Sequence, residues 1–317
     1  MGEQLSRWPE RLHVVTGKGG TGKTSVAAAL ALGLAASGRR TLLVEVEGRQ
    51  GIAQLFETEP LPYKELRIAN VAGGGEVRAL AVDPEEALLE YLDMFYHLGA
   101  AGRALRKVGA IDFATTIAPG LRDVLLTGKV KESTTRAKDG KRVYDAVVLD
   151  APPTGRIGRF LNVTAETARL AKMGPIKTQS EGVASLLRSP ITAVHVVTLL
   201  EEMPVQETLD AIAELDGLGI RVGRIIVNGA RPALLTAGKV TKAELKRGLA
   251  EAGLPADAAT VSGLADEARA HLTRRELEES LRTELIDAGH PMVELPQLAG
   301  GVDQAGLDEL AAALMRA

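Results

Sequence analysis

The run Gly17-Lys18-Gly19-Gly20-Thr21-Gly22-Lys23-Thr24 places four glycines, two lysines and two hydroxyls in one short segment. Glycine adopts positive φ and admits close approach, so successive N–H groups can converge on an anion. A helix expected from Ser25 to Ala36 starts directly behind the run. Its N-terminus adds roughly half a positive charge to the same point. The pattern is that of a phosphate-binding loop, in which Lys23 grips the β- and γ-phosphates and the Thr24 hydroxyl sits on Mg²⁺. The expected cofactor contacts are Gly17, Lys18, Gly19, Gly20, Thr21, Gly22, Lys23, Thr24 and Ser25, with ATP and Mg²⁺ as cofactors. Lys18 is a second lysine where most such loops have none.

A second cluster follows the apolar run Val147-Val148-Leu149. Asp150 at its end is a carboxylate at a strand tip, where nucleotide enzymes hold the Mg²⁺ shell, commonly through water. Pro152, Pro153 and Gly155 then make a segment stiff except at one hinge, and the Gly155 amide is placed to bond a γ-phosphate and release it. At the end of another apolar run, strand alternation puts Glu45 and Glu47 on one side, and one of them could orient an attacking water. Asn228 carries an amide suited to reading a base edge, and Pro296 to Asp303, including Gln297 and Leu298, supplies a loop to cover that base.

These residues need a scaffold that brings distant strand tips together. Apolar β-branched runs at Arg11–Thr16, Arg40–Val46, Val143–Leu149, Thr192–Leu199, Arg224–Val227 and Met292–Leu295 read as strands buried on both faces. Helical patterns such as Pro204–Leu215 separate them. The expected fold is α/β, a doubly wound, mostly parallel sheet forming a single P-loop domain over residues 1–317. Two helix-prone insertions, at about 84–132 and 163–190, exceed a minimal nucleotide-binding sheet and are expected to form a subdomain. Within the second, Leu170, Met173, Ile176, Val183, Leu186 and Leu187 offer apolar side chains either to a client or to the core. A third addition, about 241–288, carries Arg274, Arg275, Glu276, Glu278 and Glu279, which read as a solvated helix face.

Composition closes off other chemistries. The 317 residues contain no cysteine, which excludes disulfides, thiolate zinc sites and cysteine nucleophiles. Lys plus Arg number 38 against 41 Asp plus Glu, a net charge of −3, so no basic field points to nucleic acid. No apolar run approaches a membrane span, and Met1–Glu10 lacks the apolar core of a signal peptide, so the cytoplasm is the expected compartment. His13 and His195 fall inside strand patterns and read as core residues rather than ligands.

Taken together, GKGGTGKT at 17–24, DAPPTGRIGRFL at 150–161, the Ile-Val-Asn ending at Asn228 and the Pro296 loop resemble the ArsA family of deviant-Walker ATPases, which includes the arsenite-pump ATPase and the ATPase that targets tail-anchored membrane proteins. Ala118-Pro119-Gly120 likewise resembles the opening of that family's helical subdomain. The resemblance implies an ATP-hydrolysing dimeric switch, either a homodimer or a heterodimer with a paralogous ATPase, whose nucleotide state controls a hydrophobic client. It implies that Lys18 reaches across the dimer to the partner's nucleotide, that Glu47 positions water, and that Glu201, Asn228 and the loop after Pro296 contact base and ribose. Where the family has Asp followed by Pro-Ala-His, this chain has Glu47-Gly48-Arg49-Gln50, a departure that raises the alternative of a weakly hydrolysing subunit. Without cysteines, arsenite capture is chemically untenable. A positioning ATPase of the MinD or ParA type fits poorly, because Asp303–Ala317 is acidic rather than basic.

Overall fold

The computed structural model describes residues 7–96, 119–168, 174–233, 235 and 241–316. Its sheet is built from β1 (Leu12–Gly17), β2 (Arg40–Glu45), β3 (Leu66–Asn70), β4 (Glu76–Ala81), β7 (Ala146–Asp150), β8 (Thr192–Thr198), β9 (Val222–Ala230) and β10 (Met292–Pro296). The order is β10-β9-β8-β1-β7-β2-β4-β3, and every neighbouring pair is parallel except β3 with β4. The three central strands β8, β1 and β7 are buried along their whole length. Their continuous apolar runs follow from helices covering both faces. All six strand regions read from the sequence are present. The strand expected from 143 begins at Ala146 and includes Asp150, so that carboxylate closes β7 itself.

One face of the sheet is covered by α1 (Lys23–Ala36), α2 (Gly51–Leu55) and α11 (Gln304–Arg316), with Trp8 beneath them. Helix α1 is apolar around its circumference and correspondingly buried. The other face is covered by α3 (Pro84–Tyr96), α4 (Pro119–Thr135), α5 (Thr154–Leu161), α7 (Pro175–Leu187) and α8 (Glu202–Gly217), with α6 (Val163–Ala168) contributing Val163. Helix α9 (Lys242–Glu251) buries no residue, and α10 (Ala258–Asp287) sends Leu281 and Leu285 into this second core. The edge strand β3 and its neighbour β4, which pairs with both β2 and β3, were not expected. β3 is half-exposed, and β4 carries Glu76 and Arg78 between apolar residues, so neither reads as a continuous apolar run. A small ribbon of β5 (Ala137–Lys138) and β6 (Lys141–Arg142) turns through Asp139 and Gly140, both at positive φ, as an Asp-Gly hairpin requires.

Register sets the tips of the strands side by side. Asp150 lies opposite both Val15 and Glu45, Gly17 opposite Val197, and Thr198 opposite Val227. The C-terminal edge of a doubly wound sheet is where ligands bind, and it is here that the candidate residues gather. Of the apolar residues expected either at a client surface or in the core, Val183, Leu186 and Leu187 are buried in the sheet-facing core and Ile176 packs against it. Ala118, Leu170 and Met173 lie outside the described residues.

Candidate functional site

The loop leaves β1 at Gly17, where a Cβ would fall 2.1 Å from the Val197 carbonyl oxygen and where φ is +153°. Only glycine lets the chain turn out of the sheet this close to β8. Gly22, with φ +86°, caps α1, and a Cβ there would meet the Asn228 amide at 2.4 Å. Asn228 therefore rests on the loop, its Nδ2 donating to the Thr21 carbonyl at 2.9 Å. The Thr21 hydroxyl donates to the Lys18 carbonyl at 2.8 Å, and Lys23 Nζ reaches the same oxygen at 3.4 Å. Burial lowers the pKa of Lys23 against the opposing pull of Asp150 and Glu47. Gly19 and Gly20 are exposed, and Ser25 is half-buried in the first turn of α1.

Beside the loop, the Thr24 hydroxyl donates to Asp150 Oδ2 at 2.7 Å. Asp150 Oδ1 is buried with no hydrogen-bond partner among the described residues. Burial pushes the Asp150 carboxyl up to about 6, although Thr24 and the Lys23 charge pull it down. A nearby divalent cation reverses that logic by favouring the carboxylate. Two hard oxygens, one of them an orphaned buried acceptor, fit Mg²⁺, which takes few protein ligands and keeps several waters.

The two glutamates separate. β2 stops at Glu45, so strand alternation does not extend to Glu47. Glu45 is buried, and its carboxylate accepts the amides of Gln50 at 2.5 Å and Ile52 at 3.3 Å, capping α2. That use removes it from water positioning. Gln50, held at φ +56°, fixes the loop further by bonding the Leu61 backbone through both its amide oxygen and its amide nitrogen. Glu47 points instead at Arg156, 3.4 Å away, and Arg49, 3.6 Å away.

On the other side of the loop, Lys18 Nζ pairs with Glu207 of α8 at 2.6 Å. The second oxygen of Glu207 accepts the Thr154 hydroxyl at 3.0 Å, and the hydrogen bond from Lys18, with Thr154 adding to it, holds the Glu207 carboxyl below its usual range. One carboxylate thus bridges the glycine loop and the Pro152–Gly155 segment. That segment is also tied to β1, since Thr16 Oγ1 donates to the Pro152 carbonyl at 2.7 Å. Gly155 is exposed in the first turn of α5. Sequence reading missed Glu207, and no local signal marks it, because its partners lie 189 and 53 positions away.

Glu201, Asn228 and Gln297 come together in the lining of a cavity of about 720 Å³ at the tips of β8, β9 and β10. Its size suits a drug-sized or nucleotide-sized ligand. Pro296 and Leu298 do not line it; Pro296 closes β10 and Leu298 packs against the core below. Met203, Arg231 and three residues of α10, Arg274, Leu277 and Glu278, complete the wall. The solvated reading of α10 holds for Arg274, Glu276 and Glu279, which are exposed, and fails at Glu278, which is only 6% exposed and paired with Arg275 at 3.3 Å. His13 and His195 are both fully buried, with ring nitrogens 3.1 Å apart, at the strand interior rather than the tips. No helix among the described residues is long and apolar enough to cross a membrane.

Comparison with known proteins places these features in context. The family model for anion-transporting ATPases, ArsA_ATPase, matches residues 10–191. The chain is similar to ATPase BagA of Mycobacterium tuberculosis, with 55% identity over 321 aligned positions covering 97% of this chain and 94% of the relative. It is also similar to an arsenical pump-driving ATPase of Escherichia coli, with 28% identity over 265 positions covering 77% of this chain and 44% of the relative.

Proposed function

The chain belongs to the ArsA family of anion-transporting ATPases, and from that premise we propose that it is an ATP-hydrolysing switch that acts as a dimer in the cytoplasm. The observation that carries this reading is the Thr24–Asp150 pair beside the glycine loop, with Asp150 Oδ1 left without a partner. ATP lies with its phosphates on the loop amides and its base in the cavity lined by Asn228, Glu201 and Gln297. Lys23 stabilises charge on the β- and γ-phosphates. Thr24 and Asp150 hold Mg²⁺, which neutralises phosphate charge when bound.

Glu47 is the water-positioning carboxylate in this reading, and its charge already acts on both Lys23 and Asp150. Its pairing with Arg156 and Arg49 favours slow turnover by the chain alone and fits a partnership with a paralogous ATPase. Lys18 supplies a trans cation to the partner's nucleotide once it leaves Glu207. The Gly155 amide senses the γ-phosphate, and its release shifts α5 and the helices that follow. Those helices, with α3 and α4, offer a hydrophobic client its surface; Met94 on α3 is 56% exposed. With no cysteine in the chain, thiolate capture of arsenite forms no part of the proposal. The test is ATP binding and Mg²⁺-dependent phosphate release by wild type and Lys23→Ala. Binding and turnover in wild type, with both lost in Lys23→Ala, are expected; binding that survives the substitution would place the nucleotide elsewhere.

A further inference from the structure

Between the catalytic edge and the first helical insertion lies a second cavity, of about 220 Å³, separate from the base-side cavity. Its walls come from three separate segments of the chain. The loop after β2 gives Glu47 and Arg49, the switch segment gives Pro152 and Arg156, and α4 gives Arg122. Three arginines and one glutamate therefore line the same cavity. Arg49 and Arg156 share Glu47, whereas Arg122 has no ion pair among the described residues. Arginine is always charged and offers a planar fork of donors matched to carboxylate and phosphate oxygens. Set against one carboxylate, the three cations leave an excess of two positive charges on the wall of a small concave site.

We propose that this cavity binds a tetrahedral oxyanion of the size and charge of inorganic phosphate, held by Arg122 together with Arg49 and Arg156. The anion takes over the two arginines that now pair with Glu47 and brings Arg122, and with it α4, towards the catalytic loop. Occupancy of the site is thereby reported to the first helical insertion. The natural source is the phosphate released by hydrolysis beside Glu47, an origin that rests on the ATPase reading; the site itself does not. Phosphate free in solution has the same chemistry and is the other source.

The experiment has two arms. In the first, inorganic phosphate is titrated calorimetrically into the full chain, with and without ADP and Mg²⁺, for wild type, Arg122→Gln and Arg122→Lys, with thermal melting as a check on folding. Saturable binding, weakened about tenfold or more in Arg122→Gln and less in Arg122→Lys, is expected from loss of a charge-assisted forked contact. Absence of saturable binding in wild type, or an affinity unchanged in Arg122→Gln, overturns the proposal, the second outcome because phosphate would then sit on the glycine loop. In the second arm, a phosphate sensor follows a single turnover of bound ATP. Release slower than bond cleavage in wild type and faster in Arg122→Gln assigns the product as the source. Release that keeps pace with cleavage in both, alongside positive titrations, assigns solution phosphate instead. A chain that binds phosphate through Arg122 yet fails to hydrolyse ATP would refute the ATPase reading and leave the site standing.

Discussion

At the scale of single residues, the chemistry concentrates on which carboxylate is free to act. Glu45 is committed to the amides of Gln50 and Ile52 and Asp150 is paired with Thr24, whereas Glu47 is held by the exposed Arg156 and Arg49, and it is the carboxylate to which the proposal gives the water. Glu47→Gln should still bind ATP but lose turnover by about 10²-fold or more, the usual contribution of a positioned base; steady-state phosphate release against nucleotide affinity checks this. Undiminished turnover would remove the role from Glu47. The buried histidine pair makes a separate prediction about pH. Burial holds His13 down to about 3, and His195 is held well below its ordinary value by burial and by its neighbour. The unfolded chain takes up these protons near pH 6.5 while the folded chain refuses them, so the pair's contribution to stability is complete above that pH and is lost as pH falls towards 3. Urea unfolding between pH 7 and pH 4 should show a steeper loss in wild type than in the double variant His13→Asn, His195→Asn. The loop, Asp150 and Asn228 were all legible as residues because their neighbours in sequence announce them. The contact between His13 and His195 was not, since the two rings are 182 positions apart.

At the scale of elements, continuous apolar runs identified every strand of the buried centre, while the edge strand β3 escaped because it is largely exposed and its inner neighbour β4 because Glu76 and Arg78 interrupt its apolar run. Charges at helical spacing mark a solvated face, as Arg274, Glu276 and Glu279 do on α10, but spacing cannot reveal that Glu278 is buried or that Arg274 and Glu278 wall a cavity. The apolar stripe of α7 was ambiguous between client and core for a related reason. Periodicity reports which residues share a face and not what covers that face, and here Val183 and Leu187 turn to the sheet. Where β1 passes into the loop, tight approach to β8 is a property of the two strands together. Gly17→Ala must push against the Val197 backbone oxygen, which no side-chain rotation relieves. Overpacking of this kind costs typically about 1–3 kcal/mol, and it should be seen in urea unfolding together with weakened ATP binding. Normal stability and normal binding would show that β1 and β8 can part without consequence.

At the scale of the whole molecule, the strand order places the loop, the Asp150 tip and the cavity lined by Glu201, Asn228 and Gln297 along one edge of the sheet. Glu207 links the loop to the start of α5, so movement of Lys18 and movement of the switch segment are coupled through one carboxylate. If Lys18 leaves Glu207 to serve a partner's nucleotide, the whole chain changes its connections at once, and assembly becomes part of the catalytic cycle. A missing trans cation costs on the order of 10³-fold or more in turnover, so Lys18→Ala should bind ATP and scarcely hydrolyse it, whereas Lys23→Ala should do neither.

Mixing those two inactive variants tests the central claim most directly. In a mixed dimer the Lys18→Ala subunit binds ATP through its own Lys23 and receives Lys18 from the Lys23→Ala partner, which completes one site. ATP turnover measured across a series of mixing ratios should rise well above that of either variant alone and peak at intermediate ratios. Turnover that never exceeds the weighted sum of the two separate proteins would contradict a dimeric ATPase with a lysine supplied in trans.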